Sequence, residues 1–119
     1  MRDFRKFEIW NLGIEIAKDI YSITKQFPKS EIYGISSQLN RAGVSIPSNI
    51  AEGASRTSEK DFKRFLEIAL GSCYEVETQL MIAFEQKYSF ENYLKIIEKI
   101  QKEEKKITSL INKIRANSY

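Results

Sequence analysis

The sequence predicts an all-α chain, an up-down-up-down antiparallel four-helix bundle. Three observations carry that expectation: four stretches repeat their apolar residues at helical spacing, the linkers between them run to about four to six residues, and only two prolines and five glycines interrupt 119 residues. Apolar residues three and four apart mark one face of a helix, and short linkers join antiparallel neighbours in bundles. One domain spans residues 1–119, long enough for one sizeable core.

The first segment runs from about Phe4 to Phe27 and carries two stripes. Phe7, Trp10, Ile14, Ala17, Tyr21 and Thr24 form one; Ile9, Leu12, Ile16, Ile20, Ile23 and Phe27 form the other. A helix with two stripes buries more than one face. Pro28 stops it, because the residue before a proline avoids helical angles.

The second segment, about Glu31 to Gly53, keeps helical spacing through Leu39, Ala42, Ile46 and Ile50 despite Pro47. Proline inside a helix removes a backbone donor and costs about 3 kcal/mol. Its ring would strike the carbonyl of residue 43, and that residue is Gly43, the least crowded choice. A continuous helix kinked at Pro47 is expected, with Gly53 at its end.

The third segment starts at Ser58, where Asp61 completes a capping-box pattern, and runs to about Lys87 on Phe62, Phe65, Ala69, Cys73, Val76, Leu80 and Ala83. The fourth opens at Ser89 as N-cap and repeats Tyr93, Ile97, Ile100, Ile107, Ile111 and Ile114, with Glu104 in a slot where an apolar residue would be expected. Met1 to Asp3 and Ala116 to Tyr119 are read as frayed ends.

Several function classes are excluded or disfavoured. With no histidine, the commonest general base and metal ligand is missing. Glu52, Glu67, Glu75 and Glu77 are the carboxylates a metal would need, but Glu75 and Glu77 point to different faces. No metal and no cofactor is expected, and no enzyme activity. The single Cys73 lies on the apolar stripe and reads as core; with no partner for a disulfide it fits a reducing cytoplasm. No apolar run approaches the roughly 18–20 residues of a membrane span, and no leader pattern opens the chain. Trp10, Phe62 and Phe65 read as core rings; Tyr74 lies off the stripe and is open as a base-stacking residue.

Two polar features stand out. Gln38, Arg41, Ser45, Asn49 and Glu52 share one face of the second segment, and Ser72, Glu75, Thr78 and Gln79 lie close to one face of the third. A hydrogen-bonded seam between helices or subunits explains them more simply than a binding site, with Arg41 pairing Glu52 or Glu75 to set register. Net charge is only +3, but residues 95–115 hold seven bases, Lys95, Lys99, Lys102, Lys105, Lys106, Lys113 and Arg115, against Glu98, Glu103 and Glu104. A second basic group is Arg56, Lys60, Lys63 and Arg64, and a third is Arg2, Arg5 and Lys6.

The chain also resembles a family. Phe27-Pro28-Lys29-Ser30-Glu31, Gln38-Leu39 with Arg41-Ala42, and the run Ser45-Ile46-Pro47-Ser48-Asn49-Ile50-Ala51-Glu52-Gly53 are similar in order and spacing to the four-helix proteins of 23S rRNA intervening sequences. So are Phe62, Phe65-Leu66, Ile68-Ala69, Gly71-Ser72 and Glu75 with Glu77-Thr78-Gln79-Leu80. The likeness covers nearly the whole chain, although Gly43 and Val44 depart from the pattern and the fourth segment is generic. It implies a bundle that assembles into a homopentameric ring. It also suggests kinship with the accessory protein of diversity-generating retroelements, whose basic surface binds nucleic acid and whose partner is a reverse transcriptase. No catalytic residue carries over.

The expectation is therefore a ring-forming accessory protein that binds RNA or DNA through Arg56, Lys60, Lys63, Arg64, Lys99, Lys102, Lys105, Lys106, Lys113 and Arg115. The alternative is a protein-binding scaffold with no nucleic-acid affinity, in which the charge serves solubility.

Overall fold

A computed structural model describes residues 2–88 and 92–117. Four helices carry the fold: α1 Glu8–Thr24, α2 Ile35–Ala54, α3 Glu59–Glu85 and α4 Tyr93–Ala116. Each packs on the next in sequence and α4 closes on α1, with no diagonal helix pair in contact among the described residues. The result is an antiparallel four-helix bundle measuring 48 × 22 × 20 Å.

Local chemistry explains where the helices begin. Phe4–Lys6 is a separate 3-10 turn, capped by the Asp3 carboxylate accepting from the Arg5 amide, and Phe7 is extended. Asn11 donates its amide back to the carbonyls of Arg5 and Phe7, at 3.1 and 3.0 Å, so α1 begins at Glu8 rather than Phe4. Likewise α2 starts at Ile35, because Lys29–Glu31 forms its own 3-10 turn and the Glu31 carboxylate accepts from the Ile35 amide at 3.4 Å. Ser58 caps α3 as the sequence predicts, its hydroxyl accepting from the Asp61 amide at 3.0 Å. The predicted cap Ser89 lies outside the described residues; α4 follows Asn92, which takes the left-handed conformation at φ 65° that asparagine tolerates.

α2 is continuous through Pro47. Small residues explain how it packs. A Cβ on Gly43 would lie 3.4 Å from Ile20, and one on Gly13 would lie 3.3 Å from both Ile46 and Pro47, so the two glycines bring α1 and α2 close together. Gly53 is not the helix terminus. The helix continues to Ala54, and a Cβ on Gly53 would come within 2.7 Å of the Phe65 Cβ. The glycine is required by the close crossing of α2 and α3, not by a left-handed turn.

The inner stripe of α1 is buried throughout, from Ile9 to Phe27, with Leu39, Ile46, Ile50, Leu66, Val76, Leu80, Ile100 and Ile107 completing the core. Each such side chain contributes about 1.5–3 kcal/mol of burial. The outer stripe divides: Ala17 and Thr24 are buried, Phe7, Trp10 and Ile14 half-buried, and Tyr21 exposed. Among the described residues no helix is long and apolar enough to cross a membrane.

Candidate nucleic-acid interface

Antiparallel packing gathers the end of α2, the start of α3, the end of α4 and the N-terminal turn at one end of the bundle. Arginines lie against the aromatic rings there. Arg56 and Arg64 sit over Phe65, at 4.8 and 5.1 Å from the ring centre, and Arg2 sits over Phe62 at 4.4 Å. The two phenylalanines are buried, so their rings serve both the core and the cations above them. Arg2 also pairs with Glu59 and donates to the carbonyl of Arg56 at 2.6 Å.

The ten predicted basic residues do not form one patch. Lys99 and Lys106 turn toward α1, where Lys99 binds Asp19 at 2.7 Å and Lys106 binds Glu8 at 2.8 Å. The Lys106 hydrogen bond and charge, with help from Lys102, hold the Glu8 carboxyl below its ordinary value. Arg115 approaches Glu67 at 3.9 Å, and Arg56 approaches Glu52 at 3.4 Å. Lys60, Lys63, Arg64, Lys102, Lys105 and Lys113 have no acidic partner within 4.0 Å among the described residues. Lys105 instead faces α3, beside Tyr74.

The polar stripe forms a seam between α2 and α3. The hydroxyls of Ser45 and Ser72 meet at 2.8 Å, and Asn49 donates to both the Ser45 hydroxyl and its carbonyl at 2.8 Å. Two turns away the Gln79 amide donates to Gln38 and Glu75, each at 3.3 Å. Arg41 does not belong to the seam: it is exposed, and Glu52 pairs with Arg56 instead. The four-residue spacing of Glu52 and Arg56 matches about one helical turn, which makes the local partner the easier one to reach.

Sequence reasoning missed the acid side of α4. The expected polar slot was Glu104, yet the fully buried residue is Glu103, at 0% exposure with neither carboxyl oxygen hydrogen-bonded among the described residues. It points at Gly13, whose missing Cβ would lie 3.2 Å from its Oε2. Burial pushes its carboxyl up to about 8, against the opposing pull of Lys106. Glu104 is also pushed up to about 8, by burial and by sharing a hydrogen bond with Glu77. Burial thus favours the uncharged form of both acids. Cys73 is buried as expected, and burial, aided by the nearby glutamates, raises its thiol far from reactivity. No group of three histidine, cysteine, aspartate or glutamate residues is arranged to hold a metal ion among the described residues.

Fold and surface together define a small all-α bundle protein with arginines laid over buried rings at one end. The chain belongs to the family of 23S rRNA-intervening sequence proteins, whose family model matches residues 5–110. It is similar to the crystal structure of a protein of unknown function from the S23 ribosomal protein family of Bacteroides thetaiotaomicron. The two share 28% identity and a TM-score of 0.80, over 87% of this chain and 97% of that one. No curated protein matches the chain.

Proposed function

We propose that the protein is a non-enzymatic, ring-forming accessory protein that binds RNA or DNA through phosphate contacts from a pooled basic surface. The burial of Glu103 carries this reading. It takes one acid of residues 95–115 off the surface, and with Lys99 and Lys106 paired to acids of α1 the exposed charges of that stretch are Lys95, Lys102, Lys105, Lys113 and Arg115 against Glu98. The exposed face of α4 thus has bases outnumbering acids five to one, against seven to three in its composition. Lys60, Lys63 and Arg64 extend the same charge onto α3 at the shared end.

Assembly into a ring of identical copies, a pentamer by family resemblance, would multiply that field. The half-buried apolar groove of Phe4, Trp10, Ile14, Val44 and Pro47 along α1 and α2 supports self-association. A second reading, a scaffold for a protein partner such as a reverse transcriptase, draws on the exposed Ile68, Met81, Ile82 and Phe84 of α3.

The test is equilibrium binding of structured RNA and duplex DNA across a salt series, with assembled mass measured in the same buffer. A multimer whose affinity falls steeply with salt is expected, at roughly 0.9 of log–log slope per phosphate contact on duplex. Reversing Lys60, Lys63 and Arg64 to glutamate should lower that slope. Absence of binding at low salt overturns the nucleic-acid reading and leaves the scaffold.

A further inference from the structure

α3 and α4 enclose an open groove of about 560 Å³ along their outer side. From α3 comes Tyr74, 51% exposed. Its backbone is fixed, since its carbonyl accepts from the Thr78 hydroxyl at 2.7 Å. Facing it on α4 are Gln101, Glu104, Lys105, Ser109 and Asn112. At 1.5 Å per residue, the stretch from Gln101 to Asn112 runs about 16 Å, which gives room for more than one nucleotide.

The chemistry of this lining differs from that of the basic end. Lys105 is its one cation, and beside it burial and the neighbouring Glu77 push the Glu104 carboxyl upward. Such a surface is poor at holding a run of phosphates. It offers instead an exposed ring, two amides and a hydroxyl, the groups that meet the face and the polar edge of a base. The side chains of Lys105, Ser109 and Asn112 make no hydrogen bond to protein among the described residues, so they are available to a ligand. Gln101 is already oriented, donating to Glu77 at 3.1 Å. Both walls are continuous helix, so the groove needs no loop to close over it.

We propose that this groove binds the bases of single-stranded RNA or DNA, with Tyr74 as the stacking platform, Asn112 and Ser109 at the base edges, and Lys105 on the neighbouring phosphate. The proposal rests on the nucleic-acid reading above and adds the strand form and the recognising side chain. A duplex keeps its base faces inside the stack, so the groove favours single strands while the basic end takes either form.

The test uses the full-length protein, a labelled oligouridylate and a labelled duplex DNA of equal length, read by fluorescence anisotropy. Tyr74→Ala is expected to weaken single-strand binding roughly tenfold, the scale of one lost stacked base, and to leave duplex binding unchanged. Tyr74→Phe keeps the ring and should keep the affinity; Asn112→Ala should lose part of it. Unchanged single-strand affinity in Tyr74→Ala, or equal losses on both nucleic acids, overturns the groove proposal while the basic-surface reading stands. Failure of the wild-type protein to bind either nucleic acid overturns both. Loss of self-association in Tyr74→Ala, with single-strand binding intact, assigns the groove to contacts between copies.

Discussion

Replacing Glu103 by leucine should stabilise the protein, increasingly so as pH rises. The wild-type side chain is fully buried, unpaired among the described residues, and pushed up from an ordinary 4.5 to about 8. An acid whose folded value is raised binds more protons in the native state than in the unfolded one. The pH-dependent part of its cost is absent below about pH 4.5, and stability is lost as pH climbs from there to about 8, after which the loss is complete. At about 1.36 kcal/mol per pH unit, the whole interval comes to about 5 kcal/mol, with most of it present by neutral pH. Groups facing Glu103 are Lys106 on its own helix, Glu8 on α1 and Cys73 on α3. Lys106 opposes the effect and Glu8 adds to it. Leucine has a similar volume and needs no partner, and Gly13 across the interface has no side chain to oppose it. Urea unfolding followed by circular dichroism, at fixed protein concentration and several pH values from 5 to 9, gives the difference between variant and wild type. Glu104 moves in the same direction in both proteins and cancels. A difference that does not grow with pH, or a leucine variant less stable above pH 8, would refute the reasoning.

Other consequences follow from the packing. Gly53→Ala should destabilise by about 1–3 kcal/mol, since its methyl would lie 2.7 Å from the Phe65 Cβ; a lowered thermal midpoint is the readout. Gly71→Ala should do the opposite, gaining about 0.5–1 kcal/mol by the same measurement, because an added methyl meets nothing within 4 Å on the exposed face of α3. Ser58→Ala removes the cap on the Asp61 amide and should cost about 1 kcal/mol in chemical denaturation, with Ser58→Asp retaining most of the stability.

The helices themselves were legible because their causes are local. The inner stripe from Ile9 to Phe27, the Ser58 cap and the core placement of Cys73, Phe62 and Phe65 all follow from spacing along one segment, and all stand in the structure. The helix starts were read too early at Phe4 and Glu31, where Asp3, Asn11 and Glu31 side chains satisfy the backbone in short turns that periodicity does not register. The seam between α2 and α3 was visible as two polar faces, and Ser45 with Ser72 and Gln38 with Gln79 do meet. Arg41 was misplaced in it because its reach depends on how far α2 is rotated against α3.

What the sequence determined by itself is the set of helices, the apolar face of each, and the excess of base over acid. Tertiary structure decided three things it left open. Glu103 and Glu104 are adjacent and chemically identical, and only the rotation of α4 against Gly13 sends one inside and the other to the edge. Lys99 and Lys106 became ion pairs while Lys105 has no acid partner among the described residues, because the partners Asp19 and Glu8 lie on α1, some 80 or more residues away in sequence. Gly53 proved to be a contact point rather than a helix end. In each case the energy belongs to atoms of two different helices, and a pattern read along one segment contains no term for the other.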